Sequence, residues 1–280
     1  MADVIKIGFS PCPNDTFIFD ALLNKKIDTG DFIFESVLED VETLNRLALQ
    51  QKLPVTKLSF GVFPLVLDKY ALLDAGSALG RGVGPLLIRN SHFSFADFEN
   101  CTIAIPGEHT TAHLLFSMAY PHFTNKVFLR YDEIEQYVLD DHGLGVIIHE
   151  NRFTYKDKGL EKVTDLGQFW ETKTGQPIPL GGIVIDKRIE SGKQRDINLL
   201  IRKSIEYAFQ HYPALPDFVI NNAQEISENV MRQHIDLYVN KFSLSLTSEG
   251  RHAIQTLLNV YRQMHSIPKP MDATFVYDEA

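Results

Sequence analysis

Val4–Leu23, VIKIGFSPCPNDTFIFDALL, sets the pattern for the chain. Val4–Phe9 is an apolar run broken only by Lys6, the mark of a buried strand. The turn Ser10-Pro-Cys-Pro-Asn-Asp15 follows, with Asn14 or Asp15 suited to cap a helix near Thr16–Leu23. The cycle then repeats. Phe32–Leu38 reads as a strand and Val41–Gln50 as a helix; Val55–Ser59 reads as a strand and Phe63–Ala71 as a helix. Strand, turn and helix in repetition predict a parallel α/β sheet.

Beyond this stretch, Gly76–Gly84 is rich in glycine and reads as a crossover before the strand Pro85–Ile88. Strand, helix, strand continues through Thr102–Ile105, Thr110–Tyr120, Lys126–Arg130, Ile134–Leu139 and Gly145–His149, and Leu180–Ile185 is the last clear strand. Ile197, Leu200, Ile201, Ser204, Ile205, Ala208 and Phe209 then recur at helical spacing. Two more helices are expected near 225–240 and Ser248–Met264, before Pro268 and Pro270 break the pattern. One arrangement explains this order. Residues 1–88 and 186–280 form one discontinuous α/β domain, residues 89–185 form a second, and a ligand cleft lies between them. A single large doubly wound sheet is the rival.

Composition narrows the function. The chain has 280 residues, 44% of them hydrophobic and 22% charged, as in a soluble globular protein. A net charge of -9 speaks against nucleic acid as a partner. No apolar stretch approaches the ~20 residues that span a bilayer, and the start MADVIKIGFSPCPND does not resemble a signal peptide. These features predict a cytoplasmic protein with no membrane partner. Cys12 and Cys101 fit no zinc or redox spacing, and a disulfide between them stays open.

Nucleotide and metal motifs are missing or incomplete. Gly80-Arg-Gly82-Val-Gly84-Pro85 has proline where a dinucleotide fingerprint needs its third glycine. His109-Thr-Thr-Ala-His113 lacks the glutamate of a zinc-protease helix, so no metal and no cofactor is expected. Candidate ligand residues come instead from three segments that end strands, where open α/β sheets bind ligands. They are Ser10–Thr16, Thr56–Gly61 with Ser59 at the strand's end, and Ile105–Ala112, where Thr110 and Thr111 open a helix able to hold an anion. Each has a plain alternative, as a helix cap or a buried strand. His149 ends the apolar strand Gly145-Val-Ile-Ile-His149. A lone histidine is more often structural, but this one is the best-placed general base.

Taken together, SPCPNDTFIFDAL, TKLSFG, ALGRGVGPLL, PGEHTTAHLL and GVIIHENRF resemble the 1,4-dihydroxy-6-naphthoate synthases over roughly the first 155 residues. The resemblance implies a two-domain fold like that of type II periplasmic binding proteins, acting without metal or organic cofactor. It implies a lyase of menaquinone biosynthesis that converts cyclic dehypoxanthine futalosine, a small-molecule carboxylate, to 1,4-dihydroxy-6-naphthoate and releases a sugar-derived fragment. It places substrate-binding positions at Lys57, Leu58, Ser59, Thr111 and Ala112, and the proton acceptor at His149. The alternatives are chorismate dehydratase of the same pathway and a non-catalytic receptor for small carboxylates.

Overall fold

The computed structural model describes residues 3–93, 98, 100–223 and 227–277. Its strands, in chain order, are β1 (Asp3–Phe9), β2 (Phe32–Leu38), β3 (Val55–Ser59), β4 (Tyr70–Leu73), β5 (Ala78–Gly80) and β6 (Leu86–Asn90). They continue as β7 (Ile103–Ile105), β8 (Lys126–Phe128), β9 (Leu144–Ile147), β10 (Leu160–Asp165), β11 (Ile178–Asp186) and β12 (Phe275–Val276). The helices are α1 (Pro13–Leu23), α2 (Val41–Leu49), α3 (Thr111–Ala119), α4 (Ile134–Leu139), α5 (Asn151–Thr154) and α6 (Leu166–Thr174). A second group comprises α7 (Ser191–His211), α8 (Asp217–Asn222), α9 (Glu228–Tyr238), α10 (Lys241–Leu244) and α11 (Thr247–Met264). Among the described residues, no helix is long and apolar enough to cross a membrane.

The strands form two sheets. One runs β12-β4-β11-β3-β1-β2 with β5 also paired to β11, and the other runs β10-β6-β9-β7-β8. Both are mixed rather than purely parallel. β1 is parallel to β2 and β3, but β11 returns antiparallel to β3, β4 and β5. In the second sheet β7 is parallel to β8 and β9, while β6 is antiparallel to β9 and β10.

The chain leaves the first sheet between β5 and β6 and returns between β10 and β11, not near residues 88 and 186. The strand expected at Pro85–Ile88 therefore pairs in the second sheet, and Leu180–Ile185 pairs in the first. Apolar content marks both as buried strands. Which sheet each joins depends on long-range pairing that the local pattern does not encode. The same effect overturns the helix expected at Phe63–Ala71. Only Phe63–Leu65 makes a 3-10 turn, and the fully buried Tyr70–Leu73 becomes β4 between β11 and β12. A short apolar run carries too few turns to tell helix from strand.

Helix α1 starts earlier than the cap chemistry suggested. Pro13 takes the first helical position, where its missing N–H costs nothing, and Cys12 stands as the cap residue. Asn14 and Asp15 lie inside the first turn. The helix is buried from Pro13 to Leu22, because α7, α8 and α9 cover it and β2 lies against it. Of the helix expected at 225–240, residues 225 and 226 lie outside the described residues, and α9 covers the rest to Tyr238. Three apolar clusters result. One lies between the first sheet and α1, α7 and α9, one lies behind the second sheet, and the largest joins residues of both.

Candidate functional site

The ends of β3 and β9 and the start of α3 meet at one open cleft enclosing about 720 Å³. Lys57, Leu58, Ser59, Thr111, Ala112 and His149 all line it, so the strand-end segments do share a site. Gly61 is what lets them meet. A Cβ there would lie 2.4 Å from the Thr110 carbonyl oxygen and 2.7 Å from the Thr111 nitrogen. Only glycine lets the loop after β3 pack so tightly against the start of α3.

Helix α3 is capped by Thr110, whose hydroxyl oxygen accepts from the His113 amide at 3.2 Å. Among the described residues, the amides of Thr111 and Ala112 find no acceptor. Such a pair, at the positive end of a helix dipole, suits a carboxylate. Ser59 lines the same cleft; its amide is held by Asn45 Oδ1 at 2.9 Å, and its hydroxyl has no partner among the described residues. The Thr111 hydroxyl is already engaged. It donates to the Leu180 carbonyl at 2.7 Å and accepts from the Gly61 amide at 3.0 Å, clasping α3 to the first sheet. What Thr111 offers a ligand is its backbone N–H.

Lys57 is committed as well. Its ammonium donates to Asp15 Oδ1 and to the Gly76 carbonyl, both at 2.9 Å. Both side chains of the Lys57–Asp15 pair are almost wholly buried. Asp15 takes three further bonds, from Ser10 Oγ, the Ser10 amide and Asn14 Nδ2. This network forms the polar floor of the cleft.

His149 stands just past β9 with φ +56, a left-handed conformation uncommon for a residue other than glycine. Its ring lies between Tyr131 (centroids 5.0 Å apart, edge-on) and His234 (5.9 Å, stacked). Burial pushes its pKa below the usual histidine value and the Lys57 charge adds to this, against the opposing pull of Glu150 and Asp15. The imidazole is therefore neutral at pH 7, as a general base requires.

Cys12 is buried, and burial followed by the Glu150 charge raises its thiol pKa well above normal. It is not an activated nucleophile. Cys12 and Cys101 are both free thiols. Cys12, His149 and Glu150 bring one donor atom each within 4.8 Å of one another. Holding a common ion there would mean displacing that thiol's proton. The two histidines of His109–His113 diverge, because α3 begins after His109. His109 Nδ1 pairs with Glu42 at 2.9 Å, and His113 Nδ1 meets the Glu108 carbonyl at 2.7 Å.

Four participants escaped the strand-end reading: Asn45, Asp15 in its ion-pair role, Tyr131 and His234. Asn45 falls on the apolar stripe Val41-Leu44-Asn45-Ala48 of α2, and His234 on the stripe Met231-His234-Ile235-Tyr238 of α9. A polar residue on a buried helix face was the available signal.

Two sheets joined by two crossovers, with a ligand-sized cleft fed by strand ends and a helix N-terminus, define the periplasmic-binding-protein class of fold. The aliphatic sulphonate binding protein of Escherichia coli shares it, with a TM-score of 0.66 over 100% of this chain and 96% of that one, at 10% identity. The likeness is one of fold alone. The chain belongs to the menaquinone biosynthesis family, whose sequence pattern matches residues 5–263. It is 44% identical over 256 residues to the 1,4-dihydroxy-6-naphthoate synthase of Thermus thermophilus, covering 91% of this chain and 93% of that one. The synthase of Streptomyces coelicolor is 39% identical over 263 residues, with 92% of each covered. A crystal structure from Archaeoglobus fulgidus matches with a TM-score of 0.88 at 31% identity, over 94% of this chain and 98% of that one. The protein is an enzyme of the type these curated relatives represent.

Proposed function

We propose that the cleft converts cyclic dehypoxanthine futalosine to 1,4-dihydroxy-6-naphthoate, acting as a cofactor-independent lyase of the futalosine route with His149 as general base. One observation carries this reading: a neutral histidine at a strand tip faces the same cleft as a free anion seat at a helix N-terminus. In this reading the substrate carboxylate sits between Ser59 Oγ and the amides of Thr111 and Ala112. The helix end contributes about 0.3–1 kcal/mol, up to ~2 when partly buried. Each charge-assisted hydrogen bond adds about 1.5–3 kcal/mol. Leu44, Leu58, Val83 and Ile148 give the aromatic half an apolar wall, and Lys57 holds the floor through Asp15.

Each sheet is then the core of one lobe, with the crossovers at 81–85 and 166–177 as the hinge between them. The protein works in the cytoplasm, where cell fractionation would find it. The test is turnover: incubate the protein with cyclic dehypoxanthine futalosine and follow naphthoate by mass spectrometry. The fold likeness to a sulphonate receptor favours one rival, a carboxylate-binding protein, and binding without product would favour it. Consumption of chorismate instead would favour the dehydratase.

A further inference from the structure

We infer that a second, polar compartment on the far side of His149 is the subsite for an uncharged, polyhydroxylated part of the substrate. The inference rests on the function proposed above and extends it to the half of the substrate that is released.

The two compartments share Ser10, Val41 and His149 but differ in chemistry. The first is walled mainly by aliphatic side chains around the anion seat. The second encloses about 550 Å³ and is lined by Cys12, Glu39, Asp40, Arg130 and Tyr131 as well as the shared residues. Two carboxylates against one guanidinium leave this lining with net negative charge. A phosphate or a second carboxylate would be repelled there, whereas sugar hydroxyls can donate to the carboxylates and accept from the guanidinium.

The polar groups have bonding capacity left. Arg130 spends Nε and Nη2 on Asp132. Its Nη1 has no partner among the described residues. Asp40 is fixed in place by capping α2, accepting from the Glu42 and Thr43 amides and from Thr43 Oγ1. A carboxylate offers about four lone-pair sites, so one remains for a ligand hydroxyl. Tyr131 is 5% exposed, and its hydroxyl lies beside the Cys12 thiol with no other hydrogen-bond partner among the described residues. A thiol is a weak hydrogen-bond partner, so the hydroxyl keeps capacity for a ligand oxygen. His149 stands at the junction, so a substrate spanning both compartments brings the bond between its two halves to the base.

The test uses Tyr131→Phe and Arg130→Met in the full chain, with two readouts. One is kcat/KM for cyclic dehypoxanthine futalosine; the other is the Kd of 1,4-dihydroxy-6-naphthoate, which has no polyol. The expected result is a fall in kcat/KM of about tenfold or more in each variant, with the naphthoate Kd within about twofold of wild type. Tyr131→Phe should nearly keep its Tm, since the lost hydroxyl's neighbour among the described residues is a weakly bonding thiol. Unchanged kcat/KM in both variants would overturn the subsite, as would a naphthoate Kd weakened as much as kcat/KM. If the wild-type protein makes no naphthoate, the proposed function itself fails, an outcome distinct from an active wild type with indifferent variants.

Discussion

Asp15→Asn removes the carboxylate bonded to the buried Lys57 ammonium and barely changes shape. In the native structure Asp15 accepts four hydrogen bonds, from Lys57 Nζ, Asn14 Nδ2, Ser10 Oγ and the Ser10 amide. An asparagine amide can turn its oxygen to Lys57 and Asn14. Its NH2 group then faces the Ser10 amide, and two donors oppose each other. Lys57 keeps the Gly76 carbonyl but loses its counter-charge while about 6% exposed. Breaking a buried pair from one side costs about 3–5 kcal/mol. That is two to nearly four decades in the folding equilibrium. At about 2–4 °C per kcal/mol for a protein near this size, Tm should fall by about 6–20 °C. Calorimetry and urea titration measure both quantities. Replacing Lys57 by Met in the Asp15→Asn background should restore part of the loss, because no charge then stays buried alone. A loss below about 1 kcal/mol in Asp15→Asn would refute this account of the floor, as would a double variant no more stable than the single one. Catalysis offers an independent check. The Asp15 charge raises the His149 pKa and the Lys57 charge lowers it. Asp15→Asn should therefore move the acid limb of the pH–rate profile to lower pH, and Lys57→Met should move it higher.

His149→Asn should fold and bind substrate but lose about 10²–10⁴ in kcat, as measured by naphthoate release. Near wild-type kcat would remove His149 from its role. Because burial holds the His149 pKa below 6.5, wild-type kcat/KM should stay level through neutral pH and fall only under more acid conditions. Stability should follow the same sign. The folded pKa values of His149 and His234 lie below the unfolded value, so their contribution is complete above about pH 6.5 and is lost as pH falls. Urea midpoints across pH 5–8 would show it, and a rise in midpoint toward acid would contradict it. Thr111→Val leaves the Gly61 amide and the Leu180 carbonyl without their partner, at about 1–3 kcal/mol for each group, and loosens the anion seat. A lower Tm together with substrate binding weakened about tenfold or more is expected, by calorimetry and by titration. Turnover should survive exhaustive dialysis against a chelator, and a loss restored by added metal would count against a cofactor-independent lyase.

The fold was legible wherever local chemistry decides the element. β1, β2 and β3 follow from apolar runs, and the long helices α7 and α11 follow from apolar spacing repeated over several turns. It was illegible where pairing decides. Nothing in IPLGGIVID says that β11 lies antiparallel between β3 and β4 rather than closing the second sheet. Tyr70–Leu73 is too short to show a period, and its strand geometry comes from β11 and β12 on either side. The crossover positions follow from β6 joining the second sheet and β11 the first, which is why they fall earlier than the composition suggested.

The site divides along similar lines. Ser59, Thr111 and His149 could be nominated because strand ends and helix starts in an α/β chain are where ligands gather. What each atom does there was not available from type and spacing. The Thr111 hydroxyl seemed the natural donor to a carboxylate, yet its single proton goes to Leu180 across the cleft. The resemblance makes Lys57 a substrate-binding position, and it does line the cleft, with its ammonium paired to Asp15 from 42 residues away. Both roles are tertiary, since Thr111 meets β11 across a crossover and Lys57 on β3 meets Asp15 on α1. The cleft therefore holds no uncommitted lysine among the groups that line it, and an anion there depends on backbone amides and a serine hydroxyl. Such a seat has fixed geometry and modest charge. In the proposed reading it suits a step in which the carboxylate orients the substrate while the reacting bond lies elsewhere, at the histidine some distance along the cleft.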